Sequence, residues 1–155
     1  LAASSQAEDS YQRGLELRKF RDFTAALEQF KKAAMDPAYH VRAFGQIGLC
    51  YRAMGQPSRA VAAFRKACAD QRAPRRQSLS VRYLLGRTLE QLGERPDALE
   101  QYRLIFQTDR TFKDTAARLS HLEQAVLLGF TQHRSHPSRI GQAWKQMRQL
   151  LKGNG

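Results

Sequence analysis

One pattern limits what this chain can become more than any other. Gly14, Gly48 and Gly86 each stand ahead of a small residue, an aromatic residue and a second small or aliphatic residue at fixed steps. The three runs are Ala26, Phe30 and Ala33; Ala60, Phe64 and Ala67; and Ala98, Tyr102 and Ile105. The glycines recur after 34 and then 38 residues, and so do the first alanines. Apolar residues at helical spacing lie on both sides of "MGQPS" and "LGERP", so each copy reads as two helices joined by a tight turn. A helix that needed only a buried face would carry Leu at most of these positions. Gly and Ala let a second helix backbone come close instead. Recurrence at this period marks stacked units, each burying its face on the next.

The second copy is the fullest: Ile47, Gly48 and Tyr51, then Gly55 in the turn, then Ala60, Phe64 and Ala67. It resembles the tetratricopeptide repeat. The third copy has Leu85, Gly86, Leu89, Gly93, Ala98 and Tyr102 in the same order. The first is looser, with Arg13, Gly14 and Leu17, Arg21 where the turn glycine is usual, then Phe23, Ala26 and Phe30. The resemblance runs from Ser10 to Phe112 and implies an all-α, right-handed α-solenoid of helix–turn–helix repeats. The expected organisation is a flexible segment over 1–9, repeats over about 10–40, 41–74 and 79–112, and a capping helix over 113–130. In that cap Phe112, Ala116, Leu119 and Leu122 share a face. "TQHRSHPS" then interrupts the pattern, and a terminal amphipathic helix is predicted over 138–152. Its stripe of Ile140, Trp144, Met147 and Leu151 needs cover, from the cap, from a groove or by self-association with a second copy. Gly55 with Pro57, and Gly93 with Pro96, are helix stop and start signals. Asp97 falls near the positive end of its helix. The four extra residues before the third copy are assigned to a longer loop within "DQRAPRRQSLS", where insertion is cheap.

Charge narrows the function. The chain of 155 residues carries a net +12, with 19 Arg and 7 Lys. Residues 41–80 hold eight basic residues against one acidic, Asp70, and residues 121–155 hold five against one, whereas residues 1–40 are balanced. In a stack of helix pairs the first helix of each pair lines the concave side. The stripe facing away from the partner helix is Glu8, Tyr11, Leu15 and Arg18 in the first unit. It is Arg42, Gly45, Leu49 and Arg52 in the second, and Ser80, Tyr83, Arg87 and Glu90 in the third. Tyr11, Leu15, Arg18, Arg42, Leu49, Arg52, Tyr83 and Arg87 are therefore the candidate groove residues. Guanidinium forks grip carboxylates in pairs of hydrogen bonds, and Tyr supplies rigid contact area. This reads as a non-catalytic scaffold or adaptor for a partner peptide or helix with acidic and apolar residues. Relatives in the family clamp the C-terminal carboxylate of heat-shock chaperones with Lys and Asn. Tyr11 and Leu15 stand at those positions, which points away from that role. The chain is also similar in size and repeat count to three-repeat chaperones of type III secretion, so a chaperone for an export substrate is a second expectation. A third is binding of nucleic acid or another polyanion through the basic middle repeat and tail. No recognition helix or RNA-binding motif accompanies that charge.

Other classes find little support. No run reaches 18 consecutive apolar residues, the length of a membrane-spanning helix. Cys50 and Cys68 lack the paired His spacing of a zinc site and are too few for a disulfide framework. They read as small buried hydrophobes, with a bond between them left open. His133 and His136 form an HxxH without a third ligand nearby. There is no Gly-rich phosphate loop, nucleophile elbow or HExxH, so no enzyme activity, cofactor or metal is expected. The first residue is Leu, which reads as a mature or excised piece of a longer product. The resemblance and that start suggest a bacterial protein of cytoplasm or periplasm, as a soluble part of a membrane-anchored or envelope-associated assembly.

Overall fold

The computed structural model describes residues 2–135, and side chains over 5–129. Among the described residues there are seven α-helices and no strand. They are α1 (Ala2–Lys19), α2 (Phe23–Ala33), α3 (His40–Ala53), α4 (Pro57–Ala69), α5 (Arg75–Leu92), α6 (Arg95–Thr108) and α7 (Thr115–Ser135). Each helix packs on the next, and α3 also reaches α5, which stacks the pairs into an α-solenoid.

The repeated glycines explain the pairing. An aromatic ring sixteen residues later packs against each one: Phe30 on Gly14, Phe64 on Gly48 and Tyr102 on Gly86. A Cβ on Gly48 would stand only 2.3 Å from Phe64 Cε1, and one on Gly86 2.9 Å from Tyr102 Cε1. All three rings are fully buried. The glycine thus makes a socket for a ring from the partner helix. Tyr51 is half-buried against both core clusters, and Arg59 lies over its ring.

The turns follow the sequence signals. α3 stops before Gly55 at φ 70° and α4 starts at Pro57; α5 stops before Gly93 at φ 78° and Pro96 sits in the first turn of α6. In the first unit Arg21 occupies the same place at φ 64°, a left-handed conformation that strains any residue with a Cβ. The adjacent Asp22 side chain accepts the Ala25 N–H at 3.1 Å and caps α2.

Three expectations are corrected. Residues 2–9, expected to be flexible, belong to α1. "AASSQAE" contains good helix formers, and Ala7 is buried in the core shared with Tyr11, Leu27 and Phe30. The four extra residues do not lengthen a loop. The link between α2 and α3 spans 34–39 and that between α4 and α5 only 70–74. The helices absorb the insertion: α4 has 13 residues against 11 in α2, and α5 has 18 against 14 in α3. Arg75, expected in the loop, stands in the first turn of α5 and donates to the Thr108 carbonyl at the C-terminus of α6, where a cation is favoured. In the cap Ala116 is exposed, Thr115 and Leu122 are buried, and Phe112 packs on Tyr83 from the turn before α7. The predicted terminal helix over 138–152, with Ile140, Trp144, Met147 and Leu151, lies outside the described residues.

Polar contacts fasten α7. The Tyr83 hydroxyl donates to Asp114 Oδ1 at 2.7 Å, and the Tyr102 hydroxyl to Glu90 Oε2 at 2.6 Å. Arg118 reaches Glu90 Oε2 and Asp114 Oδ2, both at 2.9 Å. Between α4 and α6, Arg65 pairs with Asp97 at 2.8 Å.

Candidate functional site

The odd-numbered helices α1, α3 and α5 form one face of the stack, and a cleft of about 530 Å³ opens on it. Tyr11 comes from α1, Arg42, Gln46 and Leu49 from α3, and Val81 and Leu84 from α5. Gly45, facing α5, leaves the middle open: a Cβ there would meet only Val81, at 3.4 Å. The inserted turn of α5 completes the rim with Arg76 and Gln77, next to Pro74.

Arg42 is the most constrained cation of this face. Its guanidinium lies 4.3 Å from the Tyr39 ring centre and 5.4 Å from that of Tyr11, and those rings are themselves 5.5 Å apart. Cation–π attraction holds the fork in place before any partner arrives. Its Nε is buried and has no hydrogen-bond partner among the described residues. The same is true of Gln46 Oε1, while Gln46 Nε2 reaches the Tyr11 hydroxyl at 3.4 Å. A buried polar atom left unpaired is destabilising, so two beside one cleft favour a ligand that supplies the missing acceptor and donor.

The candidate residues separate into groups. Tyr11, Arg42 and Leu49 line the cleft, as do Gly45 and Ser80 of the same stripes. Tyr11 is 8% exposed and packs on Phe30, so it forms floor rather than free contact area. Leu15 is half-buried against the core of the first repeat. Arg18 is half-buried near Cys50, its Nε without a hydrogen-bond partner among the described residues. Arg52 is half-buried in the last turn of α3. Tyr83 is 8% exposed between Tyr102 and Phe112 and serves α7 through Asp114. Arg87 stands 3.4 Å from the Tyr83 hydroxyl and 3.9 Å from Glu90, so an acidic neighbour already faces it. None of Leu15, Arg18, Arg52, Tyr83 and Arg87 lines the cleft.

Gln46, Val81, Leu84, Arg76 and Gln77 line the cleft and fall outside the stripes read from sequence. The stripes took every third or fourth residue of a helix, whereas the cleft also uses the flank turned toward the next repeat. For Arg76 and Gln77 the signal was the insertion itself, once it is recognised as an added helical turn.

Electrostatics set several groups apart. Asp114 is held below the usual carboxylate range by the Tyr83 hydroxyl and by Arg118. Burial, with Glu90 as hydrogen-bond acceptor, pushes the Tyr102 phenol up. Burial raises both free thiols, Cys50 to about 11. Among the described residues no group of His, Cys, Asp or Glu is arranged to hold a metal ion, and no helix is long and apolar enough to cross a membrane. His133 and His136 lie outside the described side chains.

Residues 41–69 match the family model of the tetratricopeptide repeat. The whole fold is similar to several solved structures. The first tetratricopeptide domain of Spaghetti (RPAP3), bound to the HSP90 peptide SRMEEVD, superposes with a TM-score of 0.67 at 15% identity, covering 80% of this chain and 95% of that one. The Yersinia enterocolitica type III secretion chaperone SycD, in complex with a peptide of the translocator YopD, gives 0.65 at 21% identity over 81% of this chain and 95% of that one. The TPR2AB domain of yeast Sti1, complexed with pHSP90, gives 0.70 at 18% identity over 96% of this chain and 58% of that one. No curated protein sequence matches the chain. At these identities the likeness is one of fold.

Proposed function

The chain is a tetratricopeptide-repeat protein, and we propose that it is a non-catalytic interaction module whose cleft on α1, α3 and α5 holds an acidic segment of another protein. The observation that carries this reading is Arg42, fixed between Tyr11 and Tyr39 with a buried, unpaired Nε, beside the unpaired Gln46 Oε1. A carboxylate meets the guanidinium fork and a peptide N–H meets the glutamine oxygen. Leu49, Val81 and Leu84 offer an apolar wall for a neighbouring aliphatic side chain, and Arg76 adds a second positive charge. The peptides held by the solved neighbours support a peptide-sized ligand, and SycD gives the export-chaperone role a structural parallel.

The test is fluorescence anisotropy with labelled synthetic peptides that place Leu or Phe beside Asp and Glu. Arg42→Ala is expected to weaken binding roughly thirtyfold or more, the size of losing one member of a desolvated charge pair at about 2–5 kcal/mol. Arg76→Ala, on the rim, is expected to cause a smaller loss that fades with salt. Peptide affinity unchanged by Arg42→Ala overturns the reading. Tight binding of unrelated DNA or RNA that falls steeply with salt would put a polyanion in place of the peptide.

A further inference from the structure

A second furrow lies on the face formed by the even-numbered helices, and it shares no lining residue with the cleft. α2 and α4 make its walls and α3 its floor, giving a depression of about 370 Å³. The floor is apolar: Phe44 and Tyr51 are half-buried and Ile47 is buried. Three cations rim it, Lys31 from α2 and Arg59 and Lys66 from α4, and no carboxylate lines it. Lys31 pairs with the exposed Glu28 on its own helix at 2.8 Å. Arg59 and Lys66 form no ion pair among the described residues. Each is drawn over a ring instead, Arg59 over Tyr51 at 4.9 Å and Lys66 over Phe44 at 5.4 Å.

We infer that this furrow is a second docking site, which takes an acidic segment of another protein with one large apolar side chain at its centre. The apolar residue seats on Phe44, Ile47 and Tyr51, and flanking carboxylates face Lys31, Arg59 and Lys66. Charge complementarity selects that occupant. Three cations from two helices around an apolar floor repel the basic remainder of this chain and attract an anion. The floor selects a peptide over a nucleic-acid duplex, whose outward sugar–phosphate backbone has nothing to bury there. The volume suits one large side chain. Since cleft and furrow use different residues of α3 and share no lining residue, one copy holds two segments at once and bridges them.

Titration of the isotope-labelled full chain with a short synthetic peptide, one Phe between pairs of Asp or Glu, tests this by amide chemical shifts. Two groups of shifts are expected, one at Lys31, Ala62 and Lys66 and one at Arg42, Gln46 and Leu84. Ala62 is exposed at the furrow, so Ala62→Glu leaves the core intact and adds a competing carboxylate among the cations. It should weaken the furrow group at least about tenfold and spare the cleft group. Arg42→Ala should do the reverse, which separates a failure of this inference from a failure of the cleft reading. Absence of shifts at the furrow, indifference to Ala62→Glu, or equal binding of a Lys-flanked version of the peptide overturns it. So does a duplex DNA oligonucleotide that shifts the same amides with an affinity that collapses in salt.

Discussion

Replacing Gly48 by Ala adds one methyl group at the tightest contact between paired helices. The new Cβ would stand 2.3 Å from Phe64 Cε1 and 2.6 Å from Cδ1 and Cζ. Carbon atoms rest at about 3.5–4.0 Å, so the ring and the methyl overlap by more than about 1 Å. Phe64 is fully buried between α3 and α4 and has no space to swing into, so the helices must separate. Overpacking of this kind destabilises by about 1–3 kcal/mol, and the depth of overlap puts Gly48 at the upper end. Ala is the better helix former by about 1 kcal/mol, which offsets part of that. The net loss is about 2 kcal/mol, or a fall in Tm of about 4–8 °C for a chain of this size. Urea and thermal unfolding followed by far-ultraviolet circular dichroism measure it. Gly45→Ala, one turn earlier in the same helix, is the control: its Cβ meets only Val81 at 3.4 Å, so it should be neutral or stabilising by up to about 1 kcal/mol. Gly86→Ala, at 2.9 Å from Tyr102, should fall between them. Pairing Gly48→Ala with Phe64→Leu should cost less than the sum of the two alone, because the smaller side chain relieves the overlap. If Gly48→Ala and Gly45→Ala unfold at the same urea concentration, the socket is not what sets the helix spacing.

The other outcomes concern strain, charge and burial. Arg21→Gly should stabilise the chain by up to about 1 kcal/mol in urea unfolding, since a left-handed non-glycine residue costs roughly 1–2 kcal/mol and glycine returns part of that as unfolded-state entropy. A destabilised variant would mean that the Arg21 side chain makes up for its backbone. Asp114 has a depressed folded pKa, so its contribution is full above the unfolded value of about 3.9 and disappears as pH falls through the lower folded value. Asp114→Asn should therefore lower stability at neutral pH and flatten its acid-side fall; an unchanged acid limb contradicts the role given to Tyr83 and Arg118. With its thiol raised to about 11 by burial, Cys50 should react with iodoacetamide at pH 8 only as fast as the fold opens. Alkylation at the rate of a free thiol, read by mass spectrometry, refutes its packing.

The sequence by itself determined the repeat. Helix period, the pairing of each glycine with the ring sixteen residues on, and the Gly55–Pro57 and Gly93–Pro96 turns all depend on residues within one helical hairpin, so short-range spacing records them. It also located the middle repeat as the basic part, and part of the cleft through Tyr11, Arg42 and Leu49. Tertiary structure decided how those side chains are used. Tyr11 and Tyr83 share a stripe position, yet both are drawn inside, one under Tyr39 and Arg42, the other by Asp114 and Phe112. Their partners lie about thirty residues away, at the start of the next helix pair or in the turn before α7, beyond the reach of any local period. The fate of the four extra residues was undetermined for the same reason. Loop and helix both accommodate them locally, and the C-terminal carbonyl of α6 that receives Arg75 lies 33 residues further along the chain, at the far end of the same hairpin. The furrow under Lys31, Arg59 and Lys66 exists only where α2 and α4 flank α3, because a surface shared by three helices is a property of their packing and not of any one of their sequences.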